Sequence, residues 1–391
     1  MLKTNCTLKK LQLLVIYIFL ANTFSSFGKE ISLVANGKSN YMIILPKDVK
    51  PSENRAAEML QKHIEMISGC KLAVSNVLAH GKKAVYINAG NSIQNPDGFR
   101  IKTKGTNIYI EGGIQKGCIY GVVNLLEKYM GCRYYSPTYK VIPSSKNINL
   151  PQIDIADAPK NDCRIVYIVD KVESEFSDWN RLNTVDDFFA KGYYVHTFGK
   201  LVPWQDYFKT HPEYFSEMNG RRNIDQLCLS NPEVLKLTIE NLKKEMALQP
   251  NEKYWSVSQN DNFSYCQCEK CTKIIAEEGS PSGPIIRFVN EVATQFPDKI
   301  ISTLAYQYSR KAPIVSKPAK NVQVMLCTIE LNRSKSIEED KGSESFKNDI
   351  IEWGKICKHI YLWDYNIDFA NSVSPFPNLH VLQPNIQFFV K

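Results

Sequence analysis

Beyond Pro159, short apolar runs alternate with amphipathic segments, and this alternation limits the fold more than any other feature of the chain. Seven runs read as strands: RIVYIVD, YYVHTFG, DQLCLSN, YWSVSQND, ISTLAYQY, NVQVMLCTIE and HIYLWDYNID. Most are too apolar for one face only, the pattern of strands buried on both sides. Between them, Asn231 and Pro232 open a helix that aligns Leu235, Ile239, Leu242 and Met246. Another begins at Pro284 and aligns Ile285, Phe288, Val289, Val292 and Phe296. Repeated β-then-α units imply a parallel sheet, and seven of them in about 230 residues predict a (β/α)8-type barrel. The last segment, NIQFFVK, reads as helix, so the barrel is expected to lack its final strand.

Ahead of this region the pattern is a small α/β domain. ISLV and YMIIL read as strands, and a helix after Ser52 aligns Ala56, Leu60, Ile64 and Ile67 before Gly69 ends it. AVYINAG reads as a buried strand, GFRIKTKGTNIYIEGG as a hairpin, and YGVVNLLEKYMG as a second helix ending at Gly131. The stretch from Tyr135 to Ala158 is rich in Pro, Ser and Asn, which sets the boundary near residue 155. The expected organisation is a leader (1–28), an α/β domain (29–155) and a barrel domain (156–391).

The leader places Lys3, Lys9 and Lys10 before the apolar run LQLLVIYIFLA, with small residues near Gly28. That is the layout of a secretory signal peptide cleaved near Gly28, so the mature chain is expected in the periplasm or outside the cell. The apolar run is short for a membrane span, and no integral membrane segment is expected. Removing the three leader lysines takes the formal charge from +8 to +5, and the remaining lysines are scattered among acids. No nucleic-acid partner is expected from such a surface. Nothing in the composition indicates the oligomeric state.

Chemistry gathers at the strand ends. In YWSVSQNDN a strand stops in a crowd of polar groups, and the loops after barrel strands are where reaction sites are built, which singles out Asn260 and Asp261. By the same placement Asp170 closes the first strand, Glu330 the sixth, and Asp364 sits in WDY on the seventh. Glycoside hydrolysis commonly uses two carboxyl groups, one protonating the leaving oxygen and one activating water or stabilising positive charge. Asp261, Glu330 and Asp364 are therefore the catalytic candidates. Aromatic faces suit the C–H side of a sugar ring, so Tyr306, Trp363 and Tyr365 join His196 and Asn260 as candidate substrate contacts. Arg221 and Arg222 read either as a solvated loop or as partners for an acidic sugar. The expected partner is an oligo- or polysaccharide.

Ten cysteines follow the leader, and Cys266, Cys268 and Cys271 form CxCxxC, with Cys228 available from the third strand. Four thiolates suit a structural zinc, and an exported compartment equally suits disulfides. No catalytic cofactor is expected.

Taken together, ENRAAEMLQKHIEMISG and IQKGCIYGVVNLLEKYMGCRYYSP resemble the small α/β domain that precedes the barrel in alpha-glucuronidases and beta-hexosaminidase-like glycoside hydrolases. HPEYF, QLCLSNPEV, SVSQNDN, CQCEKC, SGPIIRFVN, LAYQY, WDY and PFPN resemble an uncharacterised bacterial barrel family often attached to that domain. The resemblance implies an exported carbohydrate-active protein acting on uronic-acid- or amino-sugar-containing glycans. Enzymes that use the substrate's acetamido group carry adjacent Asp and Glu, whereas Asn262 follows Asp261 here, which argues against that mechanism. The alternative to a hydrolase is a non-catalytic glycan-binding protein on a degenerate barrel.

Overall fold

The computed structural model describes residues 30–90, 92–166, 174–371 and 374–391. The leader, Asp170 and most of RIVYIVD lie outside the described residues. Two compact units divide the chain, Met1–Asn183 and Thr184–Lys391. Among the described residues no helix is long and apolar enough to cross a membrane.

The first unit contains β1 (Ile31–Val34), β2 (Tyr41–Ile44), β3 (Ala73–Ser75), β4 (Lys83–Ala89), β5 (Phe99–Lys104), β6 (Asn107–Gly112), β7 (Arg133–Tyr134), β8 (Lys140–Val141), β9 (Ile148–Leu150) and β10 (Asp154–Asp157). Six of them form one mixed sheet in the order β10-β5-β6-β4-β2-β3. Strands β3, β2, β4 and β6 run parallel, and the β5–β6 hairpin and β10 add antiparallel pairs. Helices Pro51–Ser68 and Gly117–Met130 pack on each other and on the sheet, closing with Gly69 and Gly131. Their buried positions include Ala56, Leu60, Ile64 and Ile67, the stripe read from the sequence. The unit extends past the linker near residue 155 for two reasons. Strand β10 pairs with β5, and Trp179 is buried in the same core, stacked on Tyr134 with ring centroids 4.4 Å apart.

In the second unit, β11 (Phe215–Met218) and β12 (Arg221–Leu227) form a hairpin, while β13 (Tyr254–Ser256), β14 (Ile300–Ala305), β15 (Val322–Cys327) and β16 (Ile360–Trp363) form a parallel sheet in that order. Tyr254 pairs with Ile300, Ile301 with Val322, and Val324 with Ile360. Four of the seven expected strands are thus neighbours in one parallel sheet. The segment DQLCLSN departs from expectation because Asn219 and Gly220, with φ of 51° and 73°, turn the chain back into the antiparallel hairpin. YYVHTFG also departs. It runs beside β13, with Ala190 N–H bonded to the Tyr254 carbonyl (3.0 Å) and Ser256 N–H to the Tyr193 carbonyl (3.0 Å). His196 at φ 56° then breaks the extended path, and the chain enters a short helix at Phe198.

Two long helices cover this sheet. The helix Pro232–Leu248 buries Val234, Thr238, Leu242 and Met246, a face rotated slightly from the expected one, with Leu235 and Ile239 at its edge. Asn231 caps it by accepting the Glu233 N–H at 2.9 Å. Asn231→Ala is expected to destabilise this unit by about 1 kcal/mol, read as a lower urea midpoint at unchanged slope. The helix Ser282–Thr294 buries Ile285, Ile286, Phe288, Val289 and Val292. NIQFFV lies in the helix Leu379–Val390.

Candidate active-site cleft

The carboxyl ends of the parallel strands define the site. After β13, residues 257–259 stay buried and Val257 N–H continues the pairing to the Ser302 carbonyl at 2.8 Å. The chain then emerges, with Asn260 half-buried and Asp261 exposed. Tyr306 follows β14, Cys327 ends β15, and Trp363 ends β16 with Tyr365 two residues on. A cleft of about 310 Å³ opens there, lined by His196, Asp261, Tyr306, Cys327, Trp363 and Tyr365 together with Val195, Leu304, Ile329 and Phe369. Its location at the ends of parallel strands is where open and closed α/β sheets place ligands.

The Tyr306 hydroxyl donates to Asp261 Oδ1 at 3.0 Å and accepts from Gln307 Nε2 at 2.9 Å. Burial, reinforced by the Asp261 carboxylate, pushes the Tyr306 phenol far above its ordinary range, so it remains a proton donor at neutral pH. His196 is fixed at two points. Its N–H bonds to Ser258 Oγ at 2.9 Å, and Nδ1 lies 2.8 Å from the Gln259 carbonyl. A carbonyl only accepts, so Nδ1 carries a proton and donates it to that carbonyl. The wall beyond is aromatic: Trp363 stacks on Tyr194 at 5.3 Å and tilts against Tyr365 at 6.3 Å.

The other candidates are held beside the cleft instead of lining it. Asn260 is a brace, its amide donating to the Asp225 carbonyl at 2.7 Å and its Oδ1 accepting the Gly199 N–H at 3.1 Å. Glu330 pairs with Arg310 at 3.2 Å, and Arg310 also binds Asp349 at 2.7 Å. The Glu330 charge still reaches the cleft, adding to the upward push on the Tyr306 and Tyr365 hydroxyls. Asp364 accepts from Thr328 Oγ1 at 2.6 Å and pairs with Arg333 at 3.2 Å. Arg333 lies over the Tyr365 ring at 5.4 Å, so Asp364 acts on the aromatic wall through Arg333. Sequence reasoning missed Cys327, Ile329 and Phe369; the first two were legible from their position at the end of β15.

Cys228 and the three cysteines of CxCxxC converge elsewhere in the same unit. Cys228, Cys266, Cys268 and Cys271 are buried, and their sulfurs all lie within 4.8 Å of one another. Arg222 is neither solvated nor in the cleft. It pairs with Glu217 at 3.2 Å and directs Nη1 at Cys266 Sγ from 3.7 Å.

This is a mixed α/β chain with a glycosidase-like fold. A chitobiase of Flavobacterium johnsoniae matches at TM-score 0.50 and 10% identity, over 87% of this chain and 58% of that one. A GH20 beta-N-acetylhexosaminidase from Streptomyces coelicolor A3(2) gives 0.46 and 11%, over 86% and 72%. The GH115 4-O-methyl-alpha-glucuronidase BtGH115A gives 0.47 and 9%, over 92% and 56%. At these identities the likeness is one of fold. Residues 134–391 match the model of a family described as a domain of unknown function, DUF4838, and the chain belongs to that family. No curated protein matches the chain.

Proposed function

We propose that the chain is an exported glycoside hydrolase acting on uronic-acid- or amino-sugar-containing glycans, its second unit being a variant of the (β/α)8 barrel. The observation that carries this reading is the exposed Asp261 carboxylate, fixed by the Tyr306 hydroxyl at the mouth of an aromatic-walled cleft. Breaking a glycosidic C–O bond leaves positive charge on the anomeric carbon, the leaving oxygen takes a proton, and water supplies the new C–O bond. Asp261 stabilises that charge or activates the water. Glu330, on the loop after β15, is the second carboxyl group, and Trp363 and Tyr365 carry the sugar ring. Asp364 positions the wall through Arg333. A glycosidase is supported by the fold match, and export by the lysine-rich and apolar leader.

The test is release of reducing sugar from uronate-rich and hexosamine-rich glycans by the mature chain, with no product from any of them counting against hydrolysis. A second reading, a glycan-binding protein without turnover, is favoured by one observation: Glu330 and Asp364 are both engaged by arginines and only Asp261 of the three lines the cleft. Saturable binding without product would decide for it. In either case Trp363→Ala is expected to weaken glycan binding about tenfold, the value of one lost aromatic face, measured by calorimetric titration.

A further inference from the structure

We propose that Cys228, Cys266, Cys268 and Cys271 bind one zinc ion in a closed, four-thiolate structural site. Cys228 Sγ lies 3.7 Å from Cys268 Sγ and 4.0 Å from Cys271 Sγ. With Zn–S bonds of about 2.3 Å, a regular tetrahedron has sulfur-to-sulfur edges of about 3.8 Å. Those two edges match that length, and all four sulfurs lie within 4.8 Å of one another, close enough to share one metal ion. Four soft donors without a carboxylate exclude calcium and magnesium, and the tetrahedral all-sulfur set suits zinc.

The surroundings supply what a tetrathiolate site needs. Zinc with four thiolates carries a net charge of −2, which is costly to bury unless donors face the sulfurs. Cys266 Sγ accepts the Glu217 N–H at 3.4 Å and faces Arg222 Nη1. The Ser230 hydroxyl lies 3.2 Å from Cys271 Sγ and 3.7 Å from Cys268 Sγ. A single disulfide would use two sulfurs and leave this donor shell directed at thiols that carry no charge.

The site's place in the chain gives it a task. Cys228 directly follows strand β12, and the other three ligands lie on the segment that leaves Asp261. The same two segments are joined by Gln226 Nε2, which donates to the Asn260 carbonyl at 2.7 Å and to Asn262 Oδ1 at 3.0 Å. Zinc clamps the loop that carries Asp261 to the β11–β12 hairpin and leaves no open position for chemistry.

The full mature chain, purified without chelators, is expected to contain one zinc per chain by elemental mass spectrometry. Titration with an organomercurial should release that zinc, read with a metallochromic dye, as four thiols are consumed. Cobalt in place of zinc should give sulfur-to-metal charge-transfer absorption. Cys271→Ser is expected to lose most of the zinc, whereas Cys357→Ser, which alters a thiol outside the cluster, keeps it. If Cys271→Ser does not fold, stoichiometry and thiol titration of the unaltered chain decide. A chain without zinc in which alkylation and peptide mapping find a disulfide among these four cysteines would overturn the proposal, as would stoichiometric iron.

Discussion

Asp261→Asn is expected to lower kcat for reducing-sugar release by about a thousandfold and to leave KM within a few-fold of the unaltered chain. The change keeps shape and removes charge. Asn at this position still offers Oδ1 to the Tyr306 hydroxyl, now 3.0 Å away, so the loop and the cleft should hold their form. What disappears is the negative charge facing the anomeric carbon, an interaction worth most when that carbon turns positive. The loss therefore belongs to the transition state and falls on kcat. Tyr306→Phe should cost less, because it leaves the carboxylate and removes only the donor that orients it. Since burial holds the Tyr306 phenol protonated well past neutrality, its removal should not shift the neutral-pH limb of the rate profile. Steady-state kinetics on the glycan hydrolysed fastest would check both variants. An unchanged kcat in Asp261→Asn would remove this residue from the chemistry.

The sequence carried those features that depend on local spacing and lost those that depend on partners far along the chain. Asp261, Tyr306, Trp363 and Tyr365 were marked by one rule, that polar or aromatic residues just past a buried strand face the open end of the sheet, and the cleft gathers all four. The same rule marked Glu330 and Asp364, but it is silent about Arg310 and Arg333, which engage their carboxylates. Ion pairing of that kind is a tertiary fact with no periodic signature. His196 presents another limit. A non-glycine residue at positive φ is uncommon, and nothing in VHTFG announces that the strand stops there. The β11–β12 hairpin was legible in principle, since Asn219-Gly220 is a strong two-residue turn signal, but the apolar run DQLCL outweighed it. The cysteines show both sides: CxCxxC and Cys228 are named together from the sequence, whereas the 3.7 Å between Cys228 Sγ and Cys268 Sγ comes from tertiary structure alone.

Glu278 illustrates a strong constraint with no motif, and Glu278→Ala is expected to destabilise the second unit by about 3 kcal/mol at pH 7. Its side chain is fully buried at the end of a helix and satisfies four donors: Arg287 Nε at 2.6 Å, Ser316 Oγ at 2.5 Å, Ser316 N–H at 2.8 Å and Val315 N–H at 3.1 Å. Truncation would leave amide hydrogens in the interior with no acceptor, which costs more than the loss of the contacts themselves. Burial pushes the Glu278 carboxyl upward, and the donors from Ser316, Arg287 and Val315 together overcome this and hold it below the usual carboxylate range. A carboxyl depressed in the folded state adds stability above its unfolded pKa of about 4.3, and that stability is lost as pH falls through the lower folded value. The difference between the unaltered chain and Glu278→Ala should therefore be largest at neutral pH and shrink below about pH 4. Gly283 completes the arrangement: a Cβ there would stand 2.3 Å from Glu278 Cβ and Cγ, so only glycine lets the start of the helix Ser282–Thr294 lie against the buried acid. Urea unfolding of both proteins at neutral and acidic pH measures the effect. An equal gap at the two pH values would show that the carboxylate charge contributes nothing and that Glu278 serves as packing alone.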